Sequence, residues 1–123
     1  MHCEIRTPER ALFEGDATMI VASSPQGDFA IMADHAPLLA TLGYGPVRVE
    51  TEGGEETFAC LGGTLRVAEG RVTILAESAV PIDEIDLAAV REQLAQLPPD
   101  EDGTSTAQRE VLLALERVKE KHG

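Results

Sequence analysis

The sequence has little positive charge, few cysteines and no long apolar run, and each shortage excludes a class of function. Only 10 of its 123 residues are lysine or arginine, against 22 acidic residues, which gives a net charge of −12. Nucleic-acid phosphates are bound by clustered Lys and Arg side chains, so this balance argues against a nucleic-acid partner. No apolar run approaches the roughly 20 residues of a transmembrane helix, and residues 1–4 lack the regions of a signal peptide. We therefore expect a cytosolic protein.

Metal-binding and catalytic signatures are also missing. The two cysteines, Cys3 and Cys60, have no paired spacing for a zinc site or a disulfide framework, and each lies in an apolar pattern, so we expect two buried thiols. His2 stands at what we expect to be a fraying terminus and His122 beside the last residue, so we expect no metal site. Phosphate-binding glycine loops, nucleophile elbows and His-Glu-x-x-His helices are absent.

Short alternating segments separated by glycine and proline turns fill the first two thirds of the chain. The segments predicted to contain strands are 3–7, 18–22, 27–42, 47–51, 57–61, 65–67 and 72–74. The predicted turns lie at 14–16, 24–27, 43–46, 53–54 and 69–70, and Gly62-Gly63 is expected to bend or to approach another backbone closely. Strands this short and evenly spaced predict an antiparallel sandwich or barrel.

The segment 27–42 reads as a strand, a polar loop and a second strand, and loops of this kind usually carry contacts. We take Asp28 to Pro37 as the candidate working surface. Asp34 and His35 are a conceivable acid and base pair. A lone histidine beside acids on a loop is more often a surface or capping group, so a contact role is favoured over catalysis.

The hydrophobic period changes after Pro81 and predicts two helices. Leu87, Val90, Leu94 and Leu97 recur at helical spacing, and a first helix is expected to begin between Asp83 and Asp86. Pro98-Pro99 ends it, and 100–103 is a solvated linker. A capping box at Ser105 and Gln108 starts a second helix. Its predicted apolar stripe consists of Ala107, Val111, Ala114, Leu115 and Val118.

We therefore predict a flattened antiparallel β-sandwich domain over residues 1–82 and an antiparallel α-helical hairpin over residues 83–123. The apolar helix faces are expected to pack on each other, on the sandwich or on a partner. Residues 1–108 hold 6 basic and 19 acidic side chains, a net of −13, whereas residues 109–123 hold 4 and 3, a net of +1. The basic residues of this C-terminal segment form either the solvent-exposed face of an amphipathic helix or a docking surface for an acidic partner.

The order of these signals resembles the epsilon subunit of F-type ATP synthase, called delta in mitochondria. The segments that carry the resemblance are 7–15, 27–39, 61–67 and 72–77. The match is sharpest over 27–39, where the family reads Gly-acid-aromatic or aliphatic-Gly-Ile-Leu-Pro-Gly-His-Ala-Pro-Leu-Leu. This chain departs from that pattern at Ala30, Ala33 and Asp34, which stand in place of glycine, proline and glycine.

The resemblance implies a non-catalytic rotor subunit at the cytoplasmic face of the inner membrane, which it meets only through the c-ring. Its sandwich would contact the gamma subunit and the c-ring, with Asp28 and His35 at the ring. The hairpin would lie against the sandwich or extend to the alpha/beta catalytic head and inhibit ATP hydrolysis. The residues implied in docking to the head are Arg109, Arg117, Lys119 and Lys121.

Some bacterial members bind ATP through Ile-Asp-x-x-Arg-Ala at the start of the first helix. Here Ala89 and Val90 hold the positions of the arginine and the alanine, and Arg91 lies two residues past the arginine position. Each residue of a helix turns by about 100°, so this shift carries the side chain roughly 200° around the helix. This departure argues against a bound cofactor, although Asp86 and Arg117 would be the nucleotide-binding residues. Two other functions remain open from the residues alone: a stand-alone small-molecule-binding sandwich and a hydrolase.

Overall fold

The computed structural model describes residues 1–97 and 106–122. Its described part has eight strands, and the strands precede the helices as predicted. No described helix is long and apolar enough to cross a membrane. The strands are β1 His2–Arg6, β2 Ala11–Asp16, β3 Met19–Ser24, β4 Gly27–Met32, β5 Leu38–Thr51, β6 Gly54–Ala68, β7 Arg71–Ala76 and β8 Ala79–Pro81. A short 3-10 helix, Ile82–Glu84, leads into helices α1 Leu87–Gln96 and α2 Thr106–His122.

The sheet runs in the order β2-β1-β7-β6-β5-β3-β4, with β8 paired to β6. Every pairing is antiparallel except that of β1 with β7. The long β5–β6 hairpin serves both layers: near the hairpin turn β5 pairs with β3, and at the other end of the hairpin β6 pairs with β7. The two layers are therefore joined by continuous strands, which gives the predicted sandwich.

The predicted turn at residues 43–46 is wrong, because β5 continues through it. Tyr44 pairs with Leu61 and Pro46 with Ala59 in an unbroken register. Gly45 serves close packing instead, because a Cβ built on it would lie 3.0 Å from the Cβ of Ser23. A long-range contact thus explains a glycine that looked like a local turn signal.

The predicted turn at residues 14–16 is also wrong, since β2 extends to Asp16. Gly15 lies opposite Cys3 and Asp16 opposite His2, and the polar side chains of this edge strand are exposed to solvent. His2 does not fray either. It belongs to β1, which pairs on both sides, and its N–H donates to the carbonyl of Gly70.

The main core lies between the two layers and is built from alternating inward side chains. Its largest fully buried members include Ile5, Ile20, Ile31, Leu65 and Ile74. The two thiols are buried there as predicted. Burial in apolar surroundings raises the pKa of Cys3 to about 12 and that of Cys60 to about 11, because the thiolate would be desolvated. Both side chains therefore act as small hydrophobic groups.

Gly63 confirms the predicted close backbone approach. Its φ is +135°, and an added Cβ would lie 2.3 Å from the carbonyl oxygen of Leu75 on the neighbouring strand. Only glycine fits both the conformation and the space. The predicted hairpin turn at Glu69-Gly70 is present as well, with φ values of +54° and +73°.

Helix α1 begins where the sequence predicted. Asp86 is its N-cap, and its carboxylate accepts a hydrogen bond of 3.2 Å from the N–H of Ala89. The helix ends at Gln96, shortly before the two prolines. Pro98-Pro99, the linker 100–103 and Ser105 of the predicted capping box lie outside the described residues.

The two helices pack on each other and on the outer face of the sandwich. A second buried cluster, separate from the main core, joins Ala59 of β6 to both helices. Its other buried members are Ile85, Val90, Leu112 and Val118. The predicted stripe on α2 is only partly right, because Ala107 is exposed and Leu112 is buried. Helix α2 packs against both α1 and the sheet. Its buried residues therefore differ from the single apolar stripe that helical periodicity predicted.

Candidate functional site

A cavity of about 510 Å³ opens between the sandwich and the C-terminal half of α2. We call it the basic groove, because three cationic side chains and a single acidic one line it. The sheet contributes Arg48 and Asp28, and α2 contributes Arg117 and Lys121. The remaining lining residues are Val21, Ser23, Ser24, Tyr44, Gly45, Pro46 and Val118.

Asp28 reaches this groove from β4, the edge strand of the sheet. It lies opposite Ser23 of β3, whose hydroxyl donates a 2.9 Å hydrogen bond to its carboxylate. Its side chain remains exposed to solvent. Sequence reasoning predicted Asp28 as a contact residue, and the structure adds that it faces the end of α2 that carries Arg117 and Lys121.

His35 lies on the exposed loop 33–37 between β4 and β5. Its backbone N–H donates to the carbonyl of Met32, and its Nδ1 lies 2.7 Å from the carbonyl oxygen of Ala36. Asp34 has a φ of +70°, a left-handed conformation that Asp adopts more readily than most residues. The aspartate therefore supports a backbone shape that would otherwise favour glycine.

The structure places Asp28 and His35 in separate depressions. His35 lines a second cavity of about 510 Å³ together with Phe29, Leu38 and Leu39, whereas Asp28 lines the basic groove. In the described part of the chain, Nδ1 of His35 is engaged with a main-chain carbonyl. An Asp and His catalytic pair would need a carboxylate at this nitrogen, whereas His35 has a main-chain carbonyl there.

The four basic residues predicted to dock on the catalytic head are divided along α2. Arg117 and Lys121 line the basic groove, and the ammonium of Lys119 donates a 3.1 Å hydrogen bond to the carbonyl of Ile82. Arg109 lies two turns nearer the start of the helix, about 12 Å from Arg117 along the axis, and is half-buried. Arg117 and Lys121 thus face the sheet, whereas Lys119 reaches the 3-10 helix.

Arg91 joins the two helices. Its Nε donates to a carboxylate oxygen of Glu116 at 3.2 Å, and its Nη2 donates to Glu120. The carboxylate of Glu120, followed by that of Glu116, raises the pKa of Arg91 further above its ordinary value. A second ion pair, Arg10 with Glu84 at 3.1 Å, ties the turn after β1 to the 3-10 helix.

These contacts engage most of the residues that nucleotide binding would require. The side chain of Asp86 caps α1, and Arg91 is paired with α2, while Arg117 lines the groove. Sequence reasoning missed Arg48 and Tyr44 as neighbours of this site. The alternation along β5 identifies Arg48 as an outward-facing polar residue. That it lines the same groove as Arg117 and Lys121 becomes visible only once α2 is packed on the sheet.

The comparisons with known proteins fit this arrangement of sandwich and helices. A sequence model of the family described as ATP synthase, Delta/Epsilon chain, beta-sandwich domain matches residues 1–82. The chain belongs to this family.

Similar members of the ATP synthase delta/epsilon family span nearly the whole chain. The ATP synthase epsilon chain of Rubrobacter xylanophilus is 32% identical, with 98% of this chain and 87% of the relative covered. The ATP synthase epsilon chain of Propionigenium modestum, described as sodium ion specific, is also 32% identical, with 94% and 89% covered.

A solved structure extends the likeness to both parts of the fold. A chain in the cryo-EM structure of the Euglena gracilis mitochondrial ATP synthase, which comprises OSCP, F1 and the c-ring, has a TM-score of 0.79 and 25% identity. The similarity covers 97% of this chain and 78% of that chain. The helices are therefore included in the match along with the sandwich.

Proposed function

We propose that this chain is a non-catalytic rotor subunit of an F-type ATP synthase that couples the gamma subunit to the c-ring. The observation that carries the proposal is the match over 97% of the chain to a chain of a structure with F1 and the c-ring. The subunit would sit peripherally at the cytoplasmic face of the membrane, which it would reach only through the ring. The coupling ion is a proton or sodium, since the relatives include a sodium-specific epsilon chain.

Ring contact is assigned to Asp28 and to the loop that carries His35. Both side chains are exposed, and two apolar side chains near the loop are exposed with them: Met32 by 57% and Leu39 by 74%. Exposed apolar groups beside a polar loop are typical of a surface that another protein covers. These four side chains do not fill the main core, so a role in contacting another protein accounts for them better than a role in packing.

The test replaces His35 with alanine in the assembled enzyme. We expect ATP-driven ion pumping to fall while ATP hydrolysis continues, because docking to the ring weakens and the catalytic head is untouched. Asp28→Ala should act in the same direction, and Glu52→Ala, on the exposed β5–β6 turn, serves as the matched control. Fully coupled pumping in the His35 variant would contradict the assignment. The His35 variant is the decisive one, because His35 lies outside the basic groove. Its replacement therefore leaves the surface on which α2 packs unchanged.

We further propose that the hairpin inhibits ATP hydrolysis when it leaves the sandwich. In the folded-back arrangement Arg117 and Lys121 face the basic groove and Lys119 bonds to Ile82. Those side chains must give up these positions before they meet an acidic surface of the head. The charge asymmetry of the chain supports the same role, since residues 109–123 carry a net charge of +1 and residues 1–108 a net of −13.

Two variants test the inhibition. Deletion of residues 83–123 should raise ATP hydrolysis by the reconstituted head. In the full chain, Arg117→Glu with Lys121→Glu should raise it as well, because the reversed charges would be repelled by an acidic docking surface. Hydrolysis no higher than with the unmodified chain in either variant would count against an inhibitory hairpin.

The residues present favour weak binding of nucleotide. The basic groove offers cations that suit phosphate, but Arg91 is turned toward Glu116 and Glu120, and Asp86 is occupied as the cap of α1. We propose that ATP is not a resident ligand of this subunit. Calorimetric titration of the full chain with MgATP tests this point.

A further inference from the structure

A histidine and two glutamates meet on the outer face of the β1–β2 edge, and none of them lines the basic groove. His2 and Glu4 are two residues apart on β1, so their side chains point to the same face. Glu14 of β2 lies directly opposite Glu4. One ligand atom from each of the three side chains lies within 4.8 Å of the other two.

The geometry of His2 and Glu14 fits metal ligands better than a hydrogen bond. Nε2 of His2 is shielded from solvent and has no hydrogen-bond partner among the described residues, although it lies 3.4 Å from a carboxylate oxygen of Glu14. Two ligands bound tetrahedrally to zinc at their usual bond lengths are separated by about 3.4 Å. The pair therefore already has the spacing that a shared metal ion would impose.

The electrostatics of the site also favour a cation. Like charges directly opposite each other on neighbouring strands destabilise a sheet, and Glu4 faces Glu14 in this way. One cation is already close, since Nη1 of Arg6 lies 3.4 Å from Glu4. That contact engages one carboxylate from one side, and among residues 1–97 and 106–122 the ion-pair partner of Glu14 is His2. A divalent ion would neutralise both carboxylates at once.

We propose that His2, Glu4 and Glu14 form a binding site for a divalent first-row transition metal ion, with Zn²⁺ as the ion of choice. Imidazole nitrogen and carboxylate oxygen are ligands that Zn²⁺ accepts at bond lengths near 2.0–2.2 Å. Small rotations of the two glutamates would bring their oxygens to that distance. The ion would join β1 to the edge strand β2 and leave a fourth position for water.

The experiment is a calorimetric titration of the full chain with Zn²⁺, repeated with Co²⁺ to follow its visible absorption bands. We expect one equivalent of metal to bind, and we expect His2→Gln and Glu14→Gln each to weaken binding by about tenfold or more. Arg6→Gln should strengthen binding, because it releases Glu4 from its competing ion pair. His35→Gln, on the exposed loop 33–37 and outside the cluster, is the matched control and should bind as the unmodified chain does.

The outcomes separate the proposed site from other ligands. Weaker binding in both the His2 and the Glu14 variants, with the control unchanged, supports the site. Unchanged affinity in either of those variants overturns it, as does a loss in the His35 control equal to theirs. Circular dichroism of each variant tests whether the substitutions leave the sandwich folded.

Discussion

Replacing Leu112 with alanine removes three carbon atoms from the contact between the helices and the sandwich. The side chain is 5% exposed and belongs to the cluster that joins α1 and α2 to Ala59 of the sheet. Three buried carbons are worth about 2.4 kcal/mol of transfer free energy, and the cavity they leave adds to the loss in Leu to Ala substitutions. We expect the hairpin to lose at least about 2.4 kcal/mol of docking free energy, so that its open form becomes at least about 50-fold more populated.

Native-state hydrogen exchange followed by mass spectrometry measures this change. Amides of α2 should exchange faster in Leu112→Ala, while amides of β1 and β7, which belong to the main core, should keep their protection. Leu113→Ala is the matched control, since Leu113 is the next residue on the same helix and is 38% exposed. It should change the exchange of α2 very little.

Two results would refute the reasoning. Equal acceleration in α2 and in the strands would mean that helices and sandwich open as one cooperative unit, against the proposed division at residues 82 and 83. No acceleration in α2 would mean that the second cluster contributes little to docking.

Three further predictions concern the thiols, a glycine and the groove. Because Cys3 and Cys60 keep pKa values of about 12 and about 11 in the folded chain against an ordinary 9.0, the unfolded chain releases protons first. Urea unfolding should therefore show stability falling as pH rises above about 9, more steeply than in a variant with both cysteines replaced by alanine; equal slopes would contradict this. Gly63→Ala should destabilise the fold far more than Gly27→Ala, since both have positive φ but only Gly63 would clash with Leu75; similar melting temperatures would be inconsistent with that contact. MgATP should bind the full chain with a dissociation constant above about 1 mM, and sub-millimolar binding would overturn the proposal of no resident nucleotide.

Local chemistry made much of the fold predictable. The β5–β6 and β6–β7 hairpins follow from alternating side chains around Gly53-Gly54 and Glu69-Gly70, and both are present. The start of α1 follows from the capping preference of Asp86. In each case a turn or cap depends on residues within a few positions, so the signal is contained in the sequence nearby.

The failures came where distant contacts decided the structure. Gly45 looks like a turn residue, yet its lack of a side chain accommodates Ser23 of another strand. Glu14 looks like part of a polar turn, yet pairing with β1 holds it in an edge strand. The neighbouring sequence does not distinguish a glycine required for close packing, or an acid on an edge strand, from a turn residue.

The candidate site shows the same division. Asp28 and His35 were located by the pattern of the segment that carries them, and their exposure agrees with a contact surface. The basic groove was not predictable, because Arg48 and Arg117 are 69 positions apart and meet only when α2 docks on the sheet. That docking depends on the second hydrophobic cluster, which no single segment reveals.

The most direct test of the rotor assignment is purification of the ATP synthase from cells that carry an affinity tag on this chain. The account predicts that the gamma subunit is recovered in equal amount with the tagged chain, together with the catalytic head and the c-ring. Recovery of the tagged chain alone, with the intact synthase left in the unbound fraction, would contradict the account.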